Sequence, residues 1–555
     1  MALARIDLII IFLYMIGIMV LGTYYARYVQ SSEDFYVSGK MLPWWAIGMS
    51  LVATDISALD FIAASGQGYK WGVVVANFDW IGCLPPMILG AFLIVPFYWR
   101  AGVYTIPEYL GLRYNRWVQL IQGLLWGGFL ACILGALYWA TGLMLVEFMP
   151  IRDDFAGGAL KNSLNFLLGF YHAAEGSNWQ IMSWLILIAV VVGIYCYAGG
   201  LSAVVVTDVA QLVIMYIGGT AIIVLGMIKV GGMSGLTSKI YALGPEFHNH
   251  FKLFLPADSP SPYPWQGILF GLAFVLAPAY WLGNQAIVQR NLGAKSEWDT
   301  KGGMLWGAFL HALIPIMVAF PGLIALALYP GEKSGDVAFP RLIHKLLPPG
   351  LTGLVFAVLL AALMSTAASN LNSAATIWMK DVYQKFVIPL VGWTRGKFKP
   401  EKKELKPSDR HYLAVGRSLT AMFVVFGIFF APIVTRYSGL YIAIQSFLTF
   451  IQGPNLALIL FGIIWSRATG WGGLAGLLTG LASSVLMFYF KGYIFTREEP
   501  FLFIAWWSFV ISSVTIVIVS LATKPEPREK LLGLVWKYAD KDKELQAALQ
   551  ERVEE

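Results

Sequence analysis

Residues 44–69 read WWAIGMSLVATDISALDFIAASGQGY. The run is apolar enough and long enough to cross a bilayer core of about 30 Å. Yet Asp55, Ser57 and Asp60 stand in its middle, with Gly66 and Gly68 near its end. Ionisable groups at membrane depth are costly and are read first as functional candidates. Hydrophobic runs of similar length recur along the whole chain. Of its 555 residues, 58% are hydrophobic and 13% charged, against roughly 25% charged in an average soluble domain. The fold class is therefore an all-α polytopic membrane protein with the lipid bilayer as its solvent and no separate soluble domain.

About thirteen transmembrane helices are predicted, near residues 5–28, 43–69, 73–99, 117–148, 181–198, 203–229, 265–289, 303–329, 350–385, 412–434, 438–465, 471–491 and 502–522. The first run, Leu8 to Thr23, lacks a small-residue cleavage site and reads as a retained span. An odd count puts the termini on opposite sides. The segment 393–411, WTRGKFKPEKKELKPSDRH, holds seven Lys or Arg residues, and the loops Arg100–Arg116 and Arg290–Lys301 are also basic. All fall on the side of the C-terminal tail, which the positive-inside rule makes cytoplasmic, with the N-terminus outside. This accounts for the net charge of +7 without a nucleic-acid partner. The expected location is the plasma membrane, as a multi-pass protein. The absence of an Asn-x-Ser/Thr sequon leans toward a bacterial inner membrane. Cys83, Cys132 and Cys196 fall in apolar runs and read as buried thiols. The tail from Lys524 alternates apolar and charged residues, as an amphipathic surface helix or a solvated helix would.

Other spans carry polar groups too: Asp79 in ANFDW, Asp208 and Gln211 in VVVTDVAQ, His311 in AFLHALIP, and Gln445 and Gln452 in YIAIQSFLTFIQGPN. Pro278 and Gly453-Pro454 mark candidate helix breaks. A proline frees a carbonyl, and a broken helix can offer backbone oxygens to a cation; a simple kink is the alternative. Residues 363–370, LMSTAASN, bring Ser365, Thr366, Ser369 and Asn370 into an apolar helix. Such hydroxyls often only bond their own backbone. Positions 362, 365 and 366 nonetheless share one helical face. The Ala362 carbonyl and the Ser365 and Thr366 hydroxyls can thus form half of an oxygen cage for a hard cation such as Na⁺. The other half must come from another helix.

Several stretches together resemble the sodium:solute symporter family, which includes the sodium/glucose cotransporters. They are FYVSGKMLPWWAIGMSLVATDISALDFIAASGQGY, GVYTIPEYLGLRYN, YAGGLSAVVVTDVAQ, LMSTAASNLNSAATIWMKDVY and WSRATGWGGLAGLLTG. The resemblance runs roughly from Asp7 to Leu521 and implies a LeuT-like five-plus-five inverted-repeat core. On that pattern, residues 1–42 hold an extra N-terminal helix and a loop. Residues 43–229 form the first repeat, 230–465 the second, 466–523 two further helices and 524–555 a cytoplasmic tail. The family's sodium site maps to backbone oxygens of Ala53, Ile56 and Ala362 and side chains of Ser365 and Thr366. A second site in some members maps to Asp208, Ser365, Ser369 and position 368. Ala368 removes one hydroxyl there, so one Na⁺ per cycle is expected, with Asp208 and Ser369 left as a second site or an exit path. The substrate site maps to Asp55, Asp60, Asp79, Ala277, His311 and Gln445, with Phe78, Tyr280 and Tyr441 at the gates.

Departures from that pattern bear on the solute. Asp55 and Asp60 stand where sugar carriers often have Asn and Gln, Gly82 where some have Ser, and His311 where several have Lys. The implied function is a Na⁺-coupled secondary active symporter of a small polar solute, with a sugar or polyol favoured. The extra acids keep a cationic or zwitterionic solute open, and Asp55 or Asp208 keeps proton coupling open. Residues 117–148 hold no Arg in mid-span to pair with a carboxylate solute. A sensor reading lacks a signalling domain after Thr523. An enzyme is not expected, because neither an HExxH metal motif nor a GxSxG elbow occurs. FHNHF at 247–251 is the remaining candidate metal motif. No cofactor beyond Na⁺ is implied.

Overall fold

The computed structural model describes residues 4–539 apart from 28, 30, 58–59, 152–157, 171–178, 332–334, 336–337, 391–407, 437–439 and 497–498. Among the described residues the chain is helical, with two isolated β-bridges, Leu42 to Ala294 and Leu255 to Pro264. In a bilayer every backbone polar group must be satisfied within the protein, which favours this all-helical solution. Among the described residues, ten helices are long and apolar enough to cross a membrane, or eleven if one bent pair counts as a span. The two remaining predicted spans are also helical. One is the shorter Trp179–Ile194 segment, and the other, 43–69, is interrupted.

That interruption organises the structure. Helix α1 (Arg5–Ala26) precedes α2 (Trp44–Asp55), which ends at Ile56, where ψ is 112°. A π-helical turn, Asp60–Ala64, then leads into α3 (Ser65–Trp71). In a continuous helix the Ser57 N–H would bond the Ala53 carbonyl. Here it donates to Asp60 Oδ2 at 2.7 Å. Asp60 thus caps the break, and the Ala53 carbonyl loses its ladder partner.

Long helices α4 (Arg116–Phe148) and α5 (Trp179–Val230) follow. Gly200, with φ 53° and ψ −152°, divides α5 into the two spans predicted at 181–198 and 203–229. A Cβ there would sit 2.5 Å from the Phe35 carbonyl oxygen, so both the positive φ and the close approach require glycine.

A second break lies between α6 (Ala277–Gly283) and α7 (Gln285–Leu292), where the helical stretch Gly267–Gly283 and α7 are bent by 50°. The break residue, Asn284, has φ −83° and ψ 118°, close to the −76° and 112° of Ile56. Its side chain accepts from Ala286 N at 2.9 Å, while Tyr98 donates to the freed Leu282 carbonyl at 3.0 Å. The predicted second and seventh spans are therefore interrupted in the same way, as the first helices of two repeats would be. The proline expectation needs correcting. Pro278 lies inside the helical stretch Gly267–Gly283, where the π-helical Gly267–Leu276 runs into α6, ahead of the break. Pro454 lies inside a continuous helix further along the chain.

Helix α8 (Glu297–His311) packs on α2. Helix α9 (Leu351–Ile377) is buried at every position from Val355 to Ile377 and packs against α1, α2, α4, α5 and α7. A helix buried on all sides is the centre of a bundle. Asp7 of α1 accepts from the Gly350 and Gly353 amides at 2.7 Å, which caps the start of α9. The chain continues through α10 (Leu440–Ile464) and α11 (Phe501–Ala522).

Two arginines counted as loop charges are interior. Arg113 is fully buried and donates to the carbonyls of Gly462 at 2.6 Å and of Trp465 and Ala468 at 3.0 Å. A fixed cation there satisfies orphan carbonyls at the end of α10 and opposes its dipole. Arg290, on α7, is also fully buried. The basic segment 393–411 lies mostly outside the described residues. The tail forms neither expected helix up to Ala539. Short turns Arg528–Leu531 and Trp536–Tyr538 dock instead, with Tyr109 donating to Leu534 O at 2.6 Å and Trp536 Nε1 to Leu93 O at 3.0 Å. Residues 540–555 lie outside the described set. The three cysteines are free thiols.

Gly453 gives a packing test. A Cβ there would meet Ser508 Oγ at 2.2 Å and Ala505 O at 2.8 Å, on α11. Gly453→Val is expected to cost about 1–3 kcal/mol and to lower the melting temperature in detergent. Gly17→Ala, which meets nothing within 4 Å, should not lower it. Equal melting of Gly453→Val and the parent would contradict the close helix contact.

Candidate functional site

The break in α2 faces the middle of α9. There the Thr366 hydroxyl lies 2.9 Å from the Thr54 carbonyl oxygen, 3.0 Å from that of Ala362 and 3.4 Å from that of Ile56. A hydroxyl has one proton to give. Three carbonyls around it therefore exceed what it can satisfy, and they form a site rich in oxygen and poor in protons. Of the five residues expected to hold Na⁺, Ile56, Ala362 and Thr366 come together directly. The Ala53 carbonyl is freed by the break, as described above. Ser365 is turned away and donates to Asp208. Thr54 is an addition that the sequence reading missed.

Below Ser365 is a buried polar knot. Asp208 accepts from Ser365, from Ser50 and from Arg290 Nη2, the last at 3.2 Å. Arg290 also donates to Ser50 Oγ through Nε at 3.0 Å, to Ser369 Oγ and to the Ala286 carbonyl. Thr54 Oγ1 is 3.1 Å from Ser369 Oγ. Asp208 and Ser369 are thus joined as expected, but by a guanidinium. Arg290 was missed because it follows an apolar span in the sequence, where a basic residue reads as a loop charge. Ala368 is buried and adds no polar atom.

On the other side of the α2 break is a cavity of about 150 Å³ lined by Asp55, Asp60, Asp79, Tyr280, Gln445 and others. His311, at the end of α8, reaches in from behind. Its Nε2 lies 3.0 Å from Asp79 Oδ1 and 3.4 Å from Asp55 Oδ2. Its ring meets Trp281 edge-on at 5.6 Å. One imidazole edge therefore holds two carboxylates. Asp60 is less free, because both the amide and the hydroxyl of Ser57 donate to it at 2.7 Å. Two further wall groups escaped the sequence reading as solute contacts: Asn370 and Gln452. Asn370 Nδ2 and Gln452 Oε1 are buried without a hydrogen-bond partner among the described residues. An unpartnered buried polar atom is uncommon and here faces a cavity. The LMSTAASN spacing placed Asn370 near the cation face but gave no register toward the solute.

Phe78 lines the cavity and packs edge-on against Tyr263 at 5.6 Å. Tyr263 donates to Gln67 Oε1 at 2.9 Å and itself meets Phe501. Tyr280 packs edge-on against Trp281 at 5.8 Å. The Tyr441 side chain lies outside the described residues. Ala277 and Gly82 line the cavity without polar side chains.

The FHNHF segment has a packing role. His250 Nε2 sits 3.3 Å from the Tyr69 carbonyl, and burial pushes the imidazole pKa down. Among the described residues, the His, Cys, Asp and Glu side chains close enough to share an ion are Asp55, Asp79, Cys83 and His311, which excludes this segment.

Known proteins resemble this chain along most of its length. The sodium/glucose cotransporter of Vibrio parahaemolyticus is 29% identical, over 94% of this chain and 91% of that protein. The human sodium/myo-inositol cotransporter 2 is 30% identical, over 96% of this chain and 78% of that protein. A solved Na⁺-coupled sialic acid symporter, in a substrate-bound outward-open state, superposes with a TM-score of 0.77 at 20% identity. That superposition covers 95% of this chain and 99% of the other, and it establishes the LeuT-type fold. The profile of the sodium:solute symporter family matches residues 35–480, and the chain belongs to that family, as a transporter rather than an enzyme.

Proposed function

We propose that this protein imports a small polar solute, a sugar or polyol, together with one Na⁺ per cycle by alternating access. The observation that carries the ion reading is the Thr366 hydroxyl among the Thr54, Ile56 and Ala362 carbonyls. A hard cation takes several oxygens at once. Na⁺ there, with Ala53 and with Ser365 rotated back, joins the broken end of α2 to α9. The solute then binds on the far side of the same break, so each ligand stabilises the backbone arrangement that the other needs. Phe78 closes over it from outside and Tyr280 shuts it from inside, and release of Na⁺ follows when α9 parts from α2.

Support for a polyhydroxyl solute comes from the mixture of groups in the cavity. Asp55, Asp60 and Asp79 accept, Asn370 Nδ2 donates, and Gln445 and Gln452 can do both. A sugar hydroxyl also does both. Glucose and myo-inositol transport belong by name to two relatives of this chain. A second reading, a cationic solute, is favoured by the three carboxylates facing a single histidine. The observed bonds of His311 and Ser57 reduce the charge left for such a guest. We place the protein in the plasma membrane, N-terminus outside and tail cytoplasmic, on the remaining charge asymmetry of its loops, and in a bacterium on the missing Asn-x-Ser/Thr sequon.

The energetics suffice for accumulation. A potential of about 100 mV contributes roughly 2.3 kcal/mol per charge, and a tenfold Na⁺ gradient about 1.4 kcal/mol. With tight coupling, one Na⁺ sustains roughly a several-hundred-fold gradient of a neutral solute.

Two outcomes are expected in proteoliposomes tested with a panel of sugars, polyols and cationic solutes. Thr366→Val removes the hydroxyl and should abolish the dependence of uptake on a Na⁺ gradient. Unchanged Na⁺ dependence would return Thr366 to a packing role, and uptake needing only a pH gradient would mean proton coupling. Asp79→Asn and His311→Gln should each raise the solute KM by roughly tenfold or more, the loss of a charge-assisted bond of about 1.5–3 kcal/mol. They should leave half-saturating Na⁺ within about threefold. Uptake of cationic solutes alone would favour the second reading.

A further inference from the structure

The Na⁺ site and the polar knot share two residues. The Thr54 carbonyl accepts from Thr366, and the Thr54 hydroxyl lies 3.1 Å from Ser369 Oγ and 3.4 Å from Asp208 Oδ2. Ser365 neighbours Thr366, yet its hydroxyl donates to Asp208. Between them sits a positive charge that is part of the chain. The Arg290 side chain and that of Asp208 are both 0% exposed. Arg290 reaches Ser50 on α2, Asp208 on α5 and Ser369 on α9 from α7, the far half of the second broken helix. Its bonds therefore span the two helices that must part and the two that carry the breaks.

Resting on the one-Na⁺ reading, we propose that Arg290 is a resident cation that competes with Na⁺ for the oxygens between α2, α5 and α9, with Ser365 as the hydroxyl passed between them. When Na⁺ occupies the Thr366 cage, Ser365 turns to it and Asp208 loses one donor. When Na⁺ leaves, Ser365 returns to Asp208, and the guanidinium keeps the acid neutralised. A buried carboxylate left without its cation is strongly unfavourable. A guanidinium held in place prevents Na⁺ from lodging at Asp208 on its way out. Arg290 is thus a positioning residue for ion release, acting through Asp208 and Ser365.

The two charges make opposite predictions, and no solute is needed to read them. Purified protein is titrated with NaCl against KCl at constant ionic strength, and half-saturating Na⁺ is taken from the rise in melting temperature. Arg290→Gln leaves Asp208 free to attract Na⁺ and should lower that value roughly tenfold. Asp208→Asn frees the guanidinium to repel Na⁺ and should raise it by a similar factor. The double variant Asp208→Asn/Arg290→Gln should lie near the parent. Should Arg290→Gln fail to fold, Asp208→Asn and the double variant still decide the sign. Guanidinium added to Arg290→Ala is expected to restore the parent value. Shifts in the same direction, or none, in a Na⁺-responsive parent would overturn the proposal alone. A role limited to packing would lower melting in both salts and leave the half-saturation point in place. A parent stabilised equally by Na⁺ and K⁺ would contradict the one-Na⁺ reading and the proposal with it.

Discussion

A helix interrupted inside an apolar bundle leaves backbone groups that cannot turn to water. The rest of this structure answers that constraint. At Ile56 the freed amide of Ser57 is taken by Asp60, and the freed carbonyls face the Thr366 hydroxyl. At Asn284 the residue's own side chain caps the next helix, and Tyr98 satisfies a freed carbonyl. Among the described residues, the freed amides of Ser57 and Ala286 each have a full partner. The Thr54 and Ile56 carbonyls at the first break share the single proton of the Thr366 hydroxyl, which also lies against the Ala362 carbonyl. That imbalance is the chemical basis for reading a cation there.

The same break sets the solute cavity. Asp55 and Asp60 flank it in the sequence and line the cavity, with Thr366 and Asn370 of α9 on the same wall. His311 and Asp79 complete that wall. Ion and solute therefore need not touch to be coupled. Both bear on the backbone between Thr54 and Asp60. The Asp208–Arg290 knot lies on the α9 side and ties the two broken helices to that central helix. Its charges are paired and hydrogen-bonded, as burial requires.

Much of this was legible in the sequence, for identifiable reasons. Long apolar runs announce spans, and the cost of burying Asp55, Asp79 and His311 marks them for attention. The i, i+3, i+4 spacing put Ala362, Ser365 and Thr366 on one face. Where the chain breaks was less legible. Proline was the natural signal, yet Pro278 and Pro454 both lie inside helical stretches rather than at the breaks. The breaks occur where a side chain can cap the freed amide, and Asp60 and Asn284 are not distinctive in a linear reading. Arg113 and Arg290 were hidden for another reason. A basic residue at the end of an apolar run looks topogenic, and only tertiary contacts show it serving interior carbonyls or an interior acid. Ser365 shares a helical face with Ala362 and Thr366 in the sequence, but its rotamer, turned to Asp208, depends on a helix more than 150 residues away in the sequence.

The central claim is that Na⁺ bridges the broken end of α2 to the middle of α9. Hydrogen–deuterium exchange of the purified protein, compared in NaCl and KCl without solute, tests it most directly. The account predicts slower exchange in Na⁺ within residues 50–66 and 360–372 together, with the rest of the bundle little changed. Equal exchange of both segments in the two salts would contradict it.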